Sequence, residues 1–502
     1  MRKKRLVWNT LSSFLLQATA IVSGFILPRI IIETYGSEVN GLVNSITQFI
    51  GFIAFLELGI GAVIQSALYE PLANNDKRKI SEIVASGQKF FSFVARILLL
   101  YIIVLLIFYP VVVNQNFGWI YTASLIIIIS LSAFAQYYYG IVNALLLTAD
   151  QHGYVQYLLS AITLLINTAC SVILIKLGFS IHIVKLVSSV FFIIKPVILK
   201  LYVDKHYQIE RGITYEVEPL TQKWNGIAQH VAAIVLENTD TVVLSIFSTL
   251  SNVSIYSVYH LVIYGVKRIF DTITNGIMAL MGELWAKQEI EELKKVFSYT
   301  EWIVHTLTVL LFGCVAVLIC PFISVYTKGI TDADYIVPSF AFVLTIAHAA
   351  HCLRMPYLIM ILAGNHYKQT QINFIVAAFL NLSISIVTVH FWGLIGVAIG
   401  TLVAMVYQTV WLAIYLSHNL LKWPIRNVVK QGIIDTVSFI TGYFATKNMV
   451  MTDTTYSQWL QLAIKTAIIW SAIIFVINYV FYHNNMKTVV NKMQERIKRF
   501  SL

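Results

Sequence analysis

Ionisable side chains inside apolar segments are the residues of this sequence that could do chemistry. The stretch YGVKRIFDTITNG places Lys267, Arg268 and Asp271 within five residues, and membrane-like sequence flanks it on both sides. Lys267 and Arg268 point about 100° apart on a helix, so they cannot share one partner equally well. Arg268 and Asp271 are within helical reach of each other. Two interpretations follow: a self-neutralising Arg268–Asp271 pair, or a cationic wall that Asp271 only partly offsets.

Two further arginines lie in apolar segments beside prolines. Arg29 directly follows Pro28, and Arg354 lies in the segment CLRMPYL. Proline removes a helical hydrogen bond and can kink a span, often where a moving part bends. The planar fork of arginine donates two parallel hydrogen bonds, which suits phosphate groups. We therefore predict that an anionic group is bound by the following side chains: Arg29, Arg268, Arg354 and Lys267.

Acidic residues in the same kind of segment are candidates for binding a coupling Na⁺ or H⁺. They are Asp240 in LENTDTVVL, Glu57 and Asp271. The alternative is that each carboxylate neutralises a neighbouring arginine. Asp435 and Lys465 are predicted to form a structural pair between adjacent helices. The candidate hinge residues are Pro28, Gly59, Gly61 and Gly276.

The composition is that of a polytopic membrane protein. Hydrophobic residues make up 58% of the 502 residues and charged residues only 12%, against about 25% charged in soluble proteins. The formal net charge is +11, but the basic residues are spread over short loops and form no patch for nucleic acid. The four cysteines lie in apolar segments and predict buried thiols, and no Cys/His cluster predicts a metal site or another cofactor.

Hydropathy predicts an all-α fold of fourteen spans, because a backbone in lipid must satisfy its own hydrogen bonds. The first span resembles a signal peptide, but its apolar run continues to Ile32, which favours an uncleaved helix. The predicted spans are 8–34, 39–68, 90–113, 119–147, 154–177, 180–203, 223–248, 252–286, 297–326, 334–363, 368–391, 393–417, 427–447 and 456–482.

The lysines and arginines predict the orientation of these spans. With a cytoplasmic N-terminus, the inside segments carry 24 of them and the outside loops carry two, Lys328 and Lys447. Cytoplasmic loops are the ones enriched in lysine and arginine. Both termini are therefore predicted to be cytoplasmic. The basic tail NNMKTVVNKMQERIKRFSL is predicted to form a helix on the anionic inner leaflet, in contact with membrane lipids.

The chain repeats itself weakly at a spacing of about 215 residues. LTADQHGYVQ (147–156) matches LAGNHYKQTQ (362–371), and LGIGAVI (58–64) matches NGIMALM (275–281). Six predicted spans separate equivalent positions, so the two halves are parallel repeats, which typically enclose a central cavity and rock to give alternating access. We predict an N-lobe over 1–203, an inter-lobe loop over 204–222, a C-lobe over 223–418, and spans 13 and 14 with the tail over 419–502.

A family resemblance rests on the first two spans. The segment LPRIIIETYGSEVNGLVNSITQFIGFIAFLELGIGAVIQSAL (27–68) resembles the start of bacterial polysaccharide biosynthesis transporters. The turn TYG…NGL and the glycine-rich ELGIGAVI carry the match, and NTDTVVLS resembles the corresponding segment of the second lobe. These proteins are Wzx-type flippases of the multidrug/oligosaccharidyl-lipid/polysaccharide (MOP) superfamily.

The resemblance implies a function. Members of that family move an undecaprenyl-diphosphate-linked oligosaccharide across the cytoplasmic membrane for capsule, O-antigen or exopolysaccharide assembly. On that analogy Arg29 and Arg268 engage the diphosphate, and related exporters couple to sodium or proton gradients. The resemblance also implies a monomer that works beside a polysaccharide polymerase and chain-length proteins.

Two other function classes stay open at this point. One is a cation-coupled multidrug exporter with the same fold. The other is an integral-membrane enzyme acting on the same lipid carrier, which should carry acidic or histidine clusters at one membrane face or a large outside loop. The predicted outside loops are all short, and the chain has no phosphate-binding GxxxxGK[ST] pattern, so we expect a transporter without covalent chemistry.

Overall fold

The computed structural model describes residues 2–57, 59–113, 117–215, 218–220, 227–483 and 485–487. Within these ranges the chain forms α-helices joined by short turns, and no strand occurs in them. Eleven of the described helical segments are long and apolar enough to cross a membrane. The predicted fold class, an all-α polytopic membrane protein, is confirmed.

The first of two compact units spans Met1–Ser257. Within it α1 packs along α7, α5 packs on α8, and α7 packs on α8. Its helices are α1 (Arg2–Tyr35), α2 (Ser37–Gly51), α3 (Ile60–Asn74), α4 (Lys77–Val112), α5 (Trp119–Ala135), α6 (Ile141–Ala149), α7 (Gly153–Lys176), α8 (Ile181–Tyr207), α9 (Ile227–Phe247) and the start of α10 (Leu250–Ala286).

The second compact unit spans Val258–Leu502. Here α14 and α15 form the most extensive helix pair, and α11 packs against α12, α16 and α17. After the remainder of α10, its helices are α11 (Ile290–Tyr326), α12 (Pro338–Leu353), α13 (Met355–Ala363), α14 (Tyr367–Trp392), α15 (Leu394–Asn419), α16 (Ile425–Thr446) and α17 (Tyr456–Phe481).

Three predicted spans are not single α-helices. Span 119–147 is divided by a π-helical turn, Gln136–Gly140, between α5 and α6. Span 39–68 is interrupted by a 3-10 segment, Phe52–Glu57, and by Gly59 at φ 72°. That left-handed conformation favours glycine because other residues place a β-carbon against the backbone. Span 334–363 is interrupted at Arg354, between α12 and α13. The interruption follows from Pro356, which cannot donate a hydrogen bond to the carbonyl of Cys352 four residues earlier.

The internal duplication is visible in the backbone. In the first half, the nine-residue helix α6 is followed by Gln151 in a left-handed conformation, at φ 59°. In the second half, the nine-residue helix α13 is followed by Asn365 in the same conformation, at φ 58°. A histidine, His152 or His366, then precedes the next long helix. Gln151 therefore corresponds to Asn365, one residue away from the alignment read from the sequence, which placed Asp150 there.

The division into compact units differs from the predicted lobe boundary. The predicted boundary lies in the loop 204–222, whereas the first unit extends to Ser257 because α9 packs on α2. Part of that loop and most of the predicted tail helix, from residue 488 onward, lie outside the described residues. The lobe assignment stays a prediction.

The prediction that Asp435 pairs with Lys465 is wrong. The Asp435 carboxylate contacts Nδ1 of His305 on α11 at 2.6 Å, whereas Lys465 is exposed. Helix α16 is thus held to α11 by a polar contact between residues far apart in sequence. The four cysteines are free thiols; Cys352 is buried, as predicted, whereas Cys170, Cys314 and Cys320 are only partly buried.

Trp470 is the largest fully buried side chain of the α11–α16–α17 packing. It is accommodated by two glycines: a β-carbon at Gly313 would lie 2.1 Å from its ring, and one at Gly442 would lie 2.7 Å away. Its indole N–H donates to the Thr446 hydroxyl at 3.1 Å. Small residues at this crossing let the helices approach closely, as is usual in membranes.

We expect Gly442→Ala to destabilise the protein by about 1–3 kcal/mol, because the added methyl group overpacks against Trp470. The matched control is Gly432→Ala on the same helix, where an added β-carbon meets nothing within 4 Å. The measurement is the thermal unfolding midpoint in detergent. Equal midpoints for the two variants would contradict this packing.

Candidate functional site

A buried basic cluster lies on α10 and α12. It consists of Lys267 on α10, His348 and His351 on α12, and Arg354 at the α12–α13 interruption, all at least nine-tenths buried. We call these four residues the basic cluster. Lys267 interacts electrostatically with both histidines, and so does Arg354. The structure thus brings together two of the four predicted substrate-binding residues.

The hydrogen bond between Arg354 and His351 fixes the protonation of the imidazole. Arg354 Nη2 lies 2.8 Å from His351 Nδ1. A guanidinium group has donors only, so Nδ1 must accept, and the His351 proton is on Nε2. Protonating Nδ1 would break this bond and place two cations in contact. His351 is therefore neutral in this arrangement.

His348 lies beside His351 with both ring nitrogens buried and without a hydrogen-bond partner among the described residues. Its ring is 5.9 Å from that of His260, centroid to centroid. Buried polar groups normally have a partner. A site that leaves ring nitrogens unsatisfied next to two cations is suited to a ligand with hydrogen-bonding oxygens.

The charge balance of this region is positive. Asp271 acts on Cys352 together with Lys267 and Arg354, so its carboxylate belongs to the same neighbourhood. Among the described side chains that act on Cys352, Lys267 and Arg354 are cations and Asp271 is a carboxylate, and His351 is neutral. A cation in a span costs at least about 2.5 to 3.5 kcal/mol on insertion scales, and such residues usually mark a functional site. The arrangement can bind an anion.

The other predicted substrate-binding residues are Arg268, on a different face of α10 from Lys267, and Arg29, in the first compact unit. Arg268 is exposed, with its guanidinium carbon 4.8 Å from the centre of the Tyr264 ring and Nη2 donating to that hydroxyl at 2.9 Å. Lys267 and Arg268 therefore occupy different faces of α10, as helical geometry requires. Arg29 lies on α1 with its Nη2 atom 3.8 Å from Glu33.

Two of the three coupling candidates, Glu57 and Asp240, have tyrosine partners in the first compact unit. The Tyr137 hydroxyl donates to Glu57 at 2.7 Å, and the Tyr256 hydroxyl donates to the buried Asp240 at 3.0 Å. Among the described residues, no three His, Cys, Asp or Glu side chains are placed to hold a metal ion.

The hinge candidates differ in backbone conformation and in the space around them. Gly59 alone among them has a left-handed backbone, and it separates the 3-10 segment from α3. Pro28 lies inside α1, and Gly276 lies inside α10 with open space around it. At Gly61 an added β-carbon would lie 3.5 Å from the Leu145 side chain. Their role as hinges stays a prediction.

A close polar contact joins α2 to α9 and the start of α10. A β-carbon at Gly41 would lie only 1.8 Å from the Leu250 carbonyl oxygen. Ser45 donates to Ser245 at 2.6 Å, and Asn40 donates to Ser254 at 2.8 Å. We call these residues the α2 seam. Small residues and short polar side chains are what hold helices together in lipid, where the hydrophobic effect does not.

Sequence reasoning missed the histidines of the basic cluster and the α2 seam. His348 and His351 were not singled out because isolated histidines in an apolar segment are usually core residues. Their spacing of three, together with Arg354 three residues further on, places all of them on one helical face. That shared face is the signal that could have revealed them.

Comparisons with known proteins give the fold. No family model matches the chain, and no curated protein matches it. A structure of the lipid II flippase MurJ in an inward closed conformation aligns with a TM-score of 0.72 at 12% identity, over 95% of this chain and 99% of that chain. An inward-facing multidrug resistance MATE family transporter of the MOP superfamily aligns with a TM-score of 0.55 at 14% identity, over 82% and 99%. A MATE structure in a bent conformation gives 0.53 at 14%, over 84% and 96%.

The chain has the MOP transporter fold. At these identities the likeness concerns the fold alone, and it extends over nearly the whole chain. The structures matched are transporters and a flippase, and the chain is a multi-pass membrane protein. None of the comparisons assigns the basic cluster.

We expect Ser45→Cys with Ser245→Cys to form a disulfide under mild oxidation, because the two hydroxyl oxygens are already in contact. The background should lack the four native cysteines, and loss of maleimide labelling reports the bond. Adding Gly41→Ala should slow its formation, since the methyl group pushes α2 from Leu250. Gly51→Ala, on the same helix with open space around it, is the control. Full labelling of both thiols would contradict the α2 seam.

Proposed function

We propose that this protein is a flippase that moves an undecaprenyl-diphosphate-linked oligosaccharide across the cytoplasmic membrane for cell-surface polysaccharide assembly. The observation that carries the proposal is the net positive charge buried around Lys267 and Arg354 in a chain with the MOP transporter fold. The similarity to the lipid II flippase structure, at a TM-score of 0.72, supports it. The cargo would combine a diphosphate, a polar glycan and a long lipid.

The basic cluster would bind the diphosphate. Arg354 contributes a planar guanidinium fork that matches phosphate oxygens, and Lys267 contributes a compact charge. The neutral His351 holds Arg354 in place through its Nδ1 lone pair, and His348 offers ring nitrogens for further hydrogen bonds. Arg268 and Arg29, which are less buried, remain candidates for contacting the cargo elsewhere on its path.

Transport would proceed by alternating access, with the α2 seam as a closure that has to open. The seam depends on hydrogen bonds between hydroxyl and amide groups, which exchange with water more readily than a packed apolar contact. A gradient of Na⁺ or H⁺ would supply the driving force, with Asp240, Glu57 and Asp271 as candidate sites. We further propose a monomer in the bacterial inner membrane, with both termini cytoplasmic, beside a polysaccharide polymerase and chain-length proteins.

A multidrug exporter is the second candidate, because MATE structures share the fold at TM-scores of 0.53 to 0.55. The sign of the basic cluster disfavours it for cationic drugs, since Lys267 and Arg354 would repel them. The two functions therefore differ in the charge of the molecule that the site accepts.

We expect Lys267→Ala and Arg354→Ala each to lower translocation of an undecaprenyl-diphosphate oligosaccharide in proteoliposomes by about 10- to 100-fold. That range corresponds to the loss of a charge-assisted hydrogen bond of about 1.5–3 kcal/mol. Arg354→Lys should also be impaired, because a lysine lacks the fork. The control is Lys287→Ala, which removes an exposed lysine paired with Glu283 just beyond the end of α10.

The readout is protection of a labelled glycan from an externally added glycosidase. Wild-type rates in both alanine variants would remove the basic cluster from the transport path. Resistance to cationic drugs in a sensitive host, without glycolipid translocation, would favour the exporter instead.

A further inference from the structure

A second group of buried ionisable side chains lies between α11 and α16, outside the basic cluster. Glu301 and His305 are one turn apart on α11, and Asp435 faces them from α16. Their exposed fractions are 4%, 5% and 8%. We call these three residues the acid–histidine trio. Neither the fold nor the proposed cargo explains why two carboxylates are buried here.

The Asp435 end of the trio is tightly hydrogen-bonded. One carboxylate oxygen contacts His305 Nδ1 at 2.6 Å, and the other accepts from Gln431 at 2.9 Å. The side-chain amide oxygen of Gln431 in turn accepts a hydrogen bond from the hydroxyl of Tyr482. His305 Nε2 has no well-aligned hydrogen bond among the described residues, although the Leu353 backbone lies near it. That nitrogen can therefore gain or lose a proton without breaking the contact to Asp435.

The hydrogen bonds of Glu301 favour a proton on Oε1. The indole N–H of Trp423 donates to Oε2 at 3.1 Å, and indole has no acceptor, so Oε2 must accept. The hydroxyl of Tyr357 lies 2.7 Å from Oε1. A hydroxyl can donate or accept. Tyr357 donates to an ionised Glu301, and it accepts from a Glu301 that carries its proton on Oε1.

Without added protons, the acid–histidine trio would carry a buried net negative charge. With both carboxylates ionised and His305 neutral the trio carries two negative charges, so electroneutrality needs two protons. The side chains bonded to it are the neutral Tyr357, Trp423 and Gln431, and Tyr482 follows through Gln431. Lys430 is a cation at the outer end of this network, with its ammonium 4.7 Å from the centre of the Tyr482 ring. Buried net charge is unfavourable unless it is paired.

We propose that Glu301, His305 and Asp435 form a proton-binding site that holds α16 against α11. One proton makes His305 the cationic partner of Asp435, and the second resides on Glu301 Oε1. Loss of both leaves two carboxylates buried beside a neutral imidazole, and their repulsion loosens α16. Binding of the protons does not depend on any cargo. That the protons move during transport rests on the proposed function.

Infrared difference spectroscopy of the purified protein between neutral and alkaline pH tests the site without substrate. We expect a protonated-carboxyl C=O band in the wild type at neutral pH that disappears at alkaline pH. Glu301→Gln should abolish that band. Glu283→Gln, which changes an exposed carboxylate paired with Lys287, should leave it unchanged. A wild type without the band, or a Glu301→Gln variant that retains it, would overturn the proposal.

Hydrogen exchange of the α16 backbone tests whether loss of the protons loosens α16 from α11. After correction for the intrinsic rate, wild-type α16 should lose protection as the pH is raised, and Glu301→Gln should keep it because only one carboxylate remains. A purely structural hydrogen-bond network would give the same pH response in both proteins, which would refute the coupling. Because neither experiment involves glycolipid, failure here leaves the flippase proposal untouched, and failure of the transport assay leaves the proton site untouched.

Discussion

The hydrogen bond from Arg354 to a neutral His351, beside Lys267, is the interaction on which this account depends. Charged side chains inside a membrane protein are costly to bury and usually mark a functional site. Here Arg354 lies where α12 is interrupted, and the interruption exists because Pro356 cannot donate a backbone hydrogen bond. The backbone and the side chains thus cooperate to keep a guanidinium group at a fixed place with more positive than negative charge around it.

On the proposed function, that charge determines which cargo the protein carries. The MOP fold alone does not determine the cargo, since a lipid II flippase and a multidrug resistance transporter share it with this chain. A buried site with a guanidinium fork and unsatisfied imidazole nitrogens favours oxygen-rich anions. The α2 seam adds a close contact made of small and hydroxylated residues, which we propose must open during transport, and the acid–histidine trio adds titratable groups that tie α16 to α11.

Much of the fold could be predicted from the sequence, and much less of the site. Long apolar segments gave the helices and a weak repeat gave the duplication, because both are local or periodic signals. The separation of Lys267 from Arg268 also followed from helical geometry. The partner of Asp435 did not: His305 is 130 residues away, and a single sequence carries no signal for that contact. The proline beside Arg354 was visible, but its consequence for the histidines required coordinates.

Binding of lipids that differ only in charge tests the central claim most directly. Purified protein would be offered undecaprenyl diphosphate and the uncharged alcohol undecaprenol, neither with a glycan, and retention measured by native mass spectrometry. The account predicts that the diphosphate lipid stays bound, is displaced by inorganic pyrophosphate, and is retained far better than the alcohol. Equal retention of the two lipids, or a preference for a cationic amphiphile, would contradict it.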